Sequence, residues 1–231
     1  MPIRFESDYV EGAHPKILQK LVDTNFEQCA GYSTDEHSAR AREYIKALCG
    51  GRDVDVHFLV GGTQTKLTVI CAALRPHQGV ISADTGHINC HETGAIEATG
   101  HKVLPIPSTD GKIYAPDVRR MVENHLNDPD FEHIVQPGMV YISNPTENGT
   151  VYSKAELTAI SAVCREYGLF LFADGARLGY ALRARDNDVT IADLAELCDC
   201  FYIGGTKMGA LFGEAVVISA PVLKKDFRYI I

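Results

Sequence analysis

Tryptophan is missing from all 231 residues, and no apolar run approaches the ~18–20 residues that a bilayer-spanning helix needs. Residues 1–8 carry no apolar core of the signal-peptide kind, so the sequence reads as cytoplasmic and without a membrane partner. There is no Lys/Arg stripe. With a formal net charge of −8, nucleic acid is not expected as a partner. The seven cysteines include no C-x-x-C pair, and Cys198-Asp199-Cys200 has the wrong spacing for zinc or redox chemistry. Most cysteines lie in apolar stretches such as Val69-Ile70-Cys71-Ala72-Ala73-Leu74, which predicts buried free thiols. Neither G-x-G-x-x-G after an early strand nor G-x-x-x-x-G-K-[ST] is present, which argues against a dinucleotide oxidoreductase and a P-loop enzyme.

What is present is an ordinary globular composition, 45% hydrophobic and 23% charged. Apolar runs of strand length alternate with helical patterns. Strands are expected at residues 56–60, 79–83, 102–106, 139–143, 169–173, 200–203 and 215–218. Helices are expected at 64–74, 89–98, 116–126, 154–167 and 191–197. Ser153 with Glu156 three residues on has the pattern of a capping box. Continuous apolar strands between amphipathic helices predict an α/β fold, a three-layer αβα sandwich around a mostly parallel sheet of about seven strands. Residues 1–49 read as an N-terminal helical segment with two helices, and 50–231 as the large domain. The last eight residues read as the middle of a helix, so the sequence reads as truncated.

Four segments carry chemistry. Gly61-Gly62-Thr63-Gln64 lies between a strand and a helix, where backbone N–H groups can meet a phosphate. Asp174 and Arg177 follow an apolar strand, the place where open α/β sheets bind ligands. Lys207 follows another such strand amid small residues, and a desolvated lysine of this kind forms imines. His87 and His91 flank Cys90, but no further ligands accompany them, so no metal site is read. Taken singly, these segments read equally as a tight turn, a helix N-cap, a loop lysine and a structural histidine. Together they supply what pyridoxal 5′-phosphate (PLP) needs: a phosphate cup, a group packed on the ring, an acid for the pyridine nitrogen and an amine.

In order and spacing the chain resembles the PLP-dependent threonine aldolases and β-eliminating lyases, of aspartate-aminotransferase-like fold. It is most similar to the low-specificity L-threonine aldolase branch. The resemblance rests on Ser7-Asp8, Tyr32-Ser33-Thr34-Asp35-Glu36, Gly62-Thr63, His87-Ile88-Asn89 with Glu92 and Gly94-Ala95, Thr146 through Tyr152, Asp174-Gly175-Ala176-Arg177 and Thr206-Lys207. It implies that Lys207 is the Schiff-base lysine and that Asp174 binds the pyridine nitrogen. His87 would stack on the ring and is a candidate for proton transfer from a substrate β-hydroxyl. Gly62, Thr63 and Gln64 would cup the phosphate, with a hydroxyl added by Thr206. Arg177 would contact the substrate carboxylate or the cofactor's phenolic oxygen. Ser7 is a second candidate for the carboxylate. Tyr32 and Asp35 are candidates to reach a neighbouring subunit's site in a homodimer or homotetramer.

The implied reaction is retro-aldol cleavage of a β-hydroxy-α-amino acid, threonine giving glycine and acetaldehyde. β-Elimination, or a PLP-binding fragment without catalysis, are the alternatives. The family's smaller C-terminal domain supplies another arginine to the carboxylate, and nothing in this sequence corresponds to it.

Overall fold

The computed structural model describes residues 3–231. In chain order it contains α1 (Pro15–Thr24), α2 (Glu36–Leu48), β1 (Asp55–Leu59), α3 (Gly62–Ala73), β2 (Gln78–Ala83), α4 (His87–Cys90), α5 (Ala95–Ala98) and β3 (Val103–Ile106). These are followed by α6 (Ala115–Leu126), β4 (Gln136–Ser143), α7 (Lys154–Tyr167), β5 (Phe170–Asp174), α8 (Leu178–Ala181), α9 (Ile191–Leu197), β6 (Cys200–Gly204), β7 (Glu214–Ile218), α10 (Pro221–Lys224) and α11 (Phe227–Ile230). No helix among the described residues is long and apolar enough to cross a membrane.

The seven strands form one sheet in the order β1-β7-β6-β5-β4-β2-β3. Pairs from β3 through β6 are parallel, and β7 runs antiparallel to both β6 and β1. Both faces are apolar because both are covered. On one face Val140, Ile142, Leu171 and Phe201 pack with α6, α7 and α9. On the other Tyr141, Phe172, Tyr202 and Val216 pack with α3, α5 and α11. This is the expected three-layer sandwich. α7 starts on the expected capping box: Glu156 N–H donates to Ser153 Oγ at 3.3 Å, and Ser153 N–H donates to Glu156 Oε2 at 2.7 Å.

Three local expectations need correction. The helix expected at 89–98 is two short helices, α4 and α5, separated where Thr93 and Gly94 take left-handed backbone (φ 50° and 76°). The chain end is likewise not one helix, because Asp226 at φ 60° divides α10 from α11. Cys71 is exposed, as are Cys29 and Cys90; Cys49, Cys164, Cys198 and Cys200 are the buried free thiols. An apolar neighbourhood in sequence thus did not tell which face of α3 holds Cys71.

Two glycines bring the C-terminal ends of β5 and β6 together. A Cβ on Gly175 would fall 1.8 Å from the Tyr202 carbonyl oxygen, and one on Gly204 would fall 2.4 Å from that of Ala176. Neither separation admits a side chain, so these positions hold glycine and the two strand ends close up.

Candidate active site

The C-terminal edge of the parallel strands gathers the predicted residues, as expected for ligand sites in open α/β sheets. A cavity of about 370 Å³ there is lined by Gly61, Gly62 and Thr63 at the start of α3, by His87 and Ala176, and by Thr206 and Lys207 after β6. A second, of about 520 Å³, lies on the other side of Lys207 and includes Ser7 and Asp8.

Asp174 ends β5 and is buried, with 4% exposure. Pairing of Ser143 with Asp174 and of Phe172 with Cys200 puts Tyr141, Asp174 and Tyr202 on the same face of three adjacent strands. Tyr141 Oη donates to Asp174 Oδ2 at 2.5 Å, and Tyr202 Oη to Oδ1 at 2.6 Å. Ala176 N–H donates to Oδ1 at 2.9 Å, and Lys66 Nζ lies 3.6 Å from Oδ2. Burial opposes ionisation, but the Lys66 charge and the three donors outweigh it and hold this carboxyl below the usual range. Asp174 itself does not line the cavity; its partners Tyr202 and Lys66 do.

Lys207 lies in a single 3-10 turn between Gly205 and Gly209. Gly205 N–H donates to Gly213 O, Gly213 N–H to Val60 O and His14 N–H to Gly209 O, so this loop is tied both to the end of β1 and to the N-terminal segment. Its ammonium sits 5.4 Å from the centre of the Tyr9 ring. Burial first, and then the nearby Arg177 charge, lower the Lys207 pKa, while Asp8 and Asp174 resist. Arg177 clamps Asp8 in a two-point ion pair, Nε to Oδ2 at 2.5 Å and Nη2 to Oδ1 at 3.1 Å.

His87 opens α4. Its Nδ1 lies 2.7 Å from Glu92 Oε1, and its backbone N–H donates to Glu147 Oε1 at 2.9 Å. Lys66 Nζ lies 3.3 Å from the same nitrogen, so the tautomer is not fixed by these contacts alone; a proton on Nδ1 directed at Glu92 would leave Nε2 for substrate chemistry. Glu92 also pairs with Lys66. Burial would raise its pKa, but His87, Lys66 and Thr63 lower it to about 2.

The phosphate-cup residues open α3, whose N-cap Gly61 offers no side-chain cap. The first N–H groups of the helix are therefore left for a ligand. The Gln64 side chain is already used, accepting from Val60 N–H at 3.0 Å. The Thr206 hydroxyl donates to Glu214 Oε1 at 3.1 Å. Ser7 Oγ is buried with no hydrogen-bond partner, facing the second cavity. Tyr32 is not brought to the site: it is 92% exposed, and its carbonyl accepts from Arg228. Asp35 caps α2, accepting from Ser38 N–H at 2.8 Å.

Sequence reasoning gave no role to Lys66, Glu92, Tyr141, Tyr202 or Glu214. Only the burial of Lys66 had a signal, since Val69 and Ile70 stand three and four positions after it on α3; its partners had none.

This geometry can be set beside known proteins. The model of the beta-eliminating lyase family matches residues 4–229. The chain belongs to that family. It is 32% identical to a low specificity L-threonine aldolase of Pseudomonas aeruginosa over 98% of this chain and 64% of the relative. A threonine aldolase of Leishmania major superposes with a TM-score of 0.93 at 51% identity, covering 97% of this chain and 64% of that one. An Escherichia coli aminotransferase with 19% identity and a TM-score of 0.71 shares the fold; the match covers 96% of this chain and 55% of that one. This family member thus spans 64% of the length of the two threonine aldolases.

The residues present fit PLP. An amine of lowered pKa, uncapped N–H groups at a helix start and an imidazole line one cavity, and an ionised acid lies directly behind its wall.

Proposed function

We propose that this chain carries the cofactor site of a PLP-dependent aldehyde-lyase that cleaves β-hydroxy-α-amino acids, with threonine as the type substrate. The observation that carries the reading is the convergence of Lys207 with Lys66 and Tyr202, the partners of Asp174, on one cavity. Its similarity to proteins named threonine aldolases favours carbon–carbon cleavage over β-elimination. When bound, PLP supplies an electron sink for the bond broken at the substrate's α-carbon.

Lys207 would hold the cofactor covalently. Its lowered pKa keeps a larger share of the amine neutral and nucleophilic. Asp174 would face the ring nitrogen as a carboxylate. Gly62 and Thr63 would bind phosphate oxygens through backbone N–H groups. His87 Nε2 would accept the β-hydroxyl proton while Glu92 fixes its ring. Arg177 and the unpartnered Ser7 hydroxyl would orient the substrate carboxylate, Arg177 by exchanging Asp8 for it. That exchange selects which bond at the α-carbon is aligned for cleavage, a matter of position more than of the cofactor. A cytoplasmic homo-oligomer belongs to this reading, with the exposed Tyr32 directed at a neighbouring copy.

Borohydride reduction of PLP-loaded protein followed by peptide mapping should label Lys207, and threonine should yield acetaldehyde. A label on any other lysine would remove the assignment. Pyruvate from serine, with no acetaldehyde from threonine, would move the activity to β-elimination.

A further inference from the structure

Lys66 takes no part in the steps above, yet it is among the most buried charges of the molecule, with 2% exposure. Its Nζ pairs with Glu92, lies 3.6 Å from Asp174 Oδ2 and is 3.3 Å from His87 Nδ1. A lysine is seldom buried to this degree without an electrostatic task. Here two buried carboxylates, Asp174 and Glu92, face one ammonium, so the cluster is one positive charge short. Lys66 also lines the cavity that Asp174 does not reach.

Resting on the cofactor reading above, we propose that Lys66 is a positioning residue that serves as the counter-ion of Asp174 before the cofactor arrives, so that a protonated ring nitrogen has to compete with it for that carboxylate. The ammonium keeps Asp174 ionised in the free protein. It also weakens the grip of Asp174 on the ring nitrogen, because each cation near a carboxylate reduces what a second one gains there. Glu92 anchors Lys66 and so keeps this competition in place.

The test compares PLP with 1-deaza-PLP, in which a carbon replaces the ring nitrogen and no cation can form. Both affinities are measured by equilibrium titration in the unchanged chain, in Lys66→Met, and in Lys66→Met/Glu92→Gln, which removes the buried charge of Glu92 together with the ammonium it shares with Asp174. Loss of the competitor should favour PLP alone, widening the preference for PLP over the deaza compound by about tenfold, or ~1.4 kcal/mol. The ratio is read within each protein, so it holds for whichever of the two variants folds. Equal shifts for both compounds, or a narrower preference, would overturn the role of Lys66 and leave the cofactor reading standing. Failure of the unchanged chain to bind either compound would overturn the cofactor reading itself, and this inference with it.

Discussion

Glu92 and Glu214 are buried almost equally, at 4% and 5% exposure, yet they titrate in opposite directions. Glu92 is pulled down to about 2 although burial acts against it, because His87 and Lys66 bond it and Lys66 adds a full charge. Glu214 is pushed up to about 7 by burial and by repulsion from Asp174, which outweigh the Thr206 hydroxyl, the Gly205 N–H and the more distant Lys207 charge. The first belongs to the floor of the site, built from α3, α4 and the strand ends. The second belongs to the loop that carries Lys207. The difference teaches that burial alone does not set a carboxyl's charge here; a fixed ammonium does. The floor keeps its carboxylates charged, while the amine loop keeps a group that changes charge near neutral pH.

The strongest way to break this comparison is to discharge the floor. Asp174→Asn leaves Tyr141, Tyr202 and Lys66 facing a neutral amide in a buried setting. Lys66 keeps Glu92, so no charge is stranded, but the amide NH2 cannot accept from the second tyrosine, and a buried donor left without an acceptor costs about 1–3 kcal/mol. Urea unfolding of cofactor-free protein should show a loss of that size, and PLP retention should fall with it. A loss below about 1 kcal/mol would mean that the floor is not held by Asp174.

Glu214→Gln gives a smaller effect with a definite sign. The folded pKa of Glu214, about 7, exceeds its ordinary 4.5, so the folded chain holds this proton where the unfolded chain has released it. Its contribution to stability therefore declines as pH rises from about 4.5 through about 7 and is flat above. Glu92 has the reverse slope: its contribution is present above 4.5 and is lost as pH falls toward about 2. A melting-temperature profile of Glu214→Gln should lack the decline between pH 4.5 and 7 but keep the acid-side loss. A profile that superposes on that of the unchanged chain would show that Glu214 does not titrate as described.

The same contrast governs how much could be read from the sequence. Strand ends were legible because apolar runs stop there, so Asp174 and Lys207 could be placed at one edge of a sheet. Gly62, Thr63 and His87 followed from the same alternation. The α7 start was legible because the capping box is local, Ser153 to Glu156. The break at Thr93 and Gly94 was signalled by the glycine itself, but an apolar spacing around Ile96 masked it. Tyr141 and Tyr202 could not be assigned to Asp174 because that contact depends on register across three strands. Lys66 needed the same register together with the rotation of α3. The floor is a long-range construction, and its partners are separated by up to 108 positions, as Lys66 and Asp174 are. Spacing along a chain does not encode such contacts.

The smallest effect is expected at the rim, where Asp8 pairs with Arg177. Both side chains are about a third exposed, 32% and 33%, so solvent screens the pair and its worth to stability is about 0–1 kcal/mol. Asp8→Asn should leave the unfolding midpoint nearly unchanged. Its consequence lies in the amine. The negative charge of Asp8 raises the Lys207 pKa, and its removal leaves burial and Arg177 less opposed. The pH midpoint for formation of the borohydride-trapped Lys207 adduct should then move downward, by about one unit or less. An upward movement would mean that Arg177, released from Asp8, turns away from Lys207 rather than toward it. A large stability loss with no movement would assign Asp8 to holding the N-terminal segment in place, and would detach it from the chemistry of the lysine.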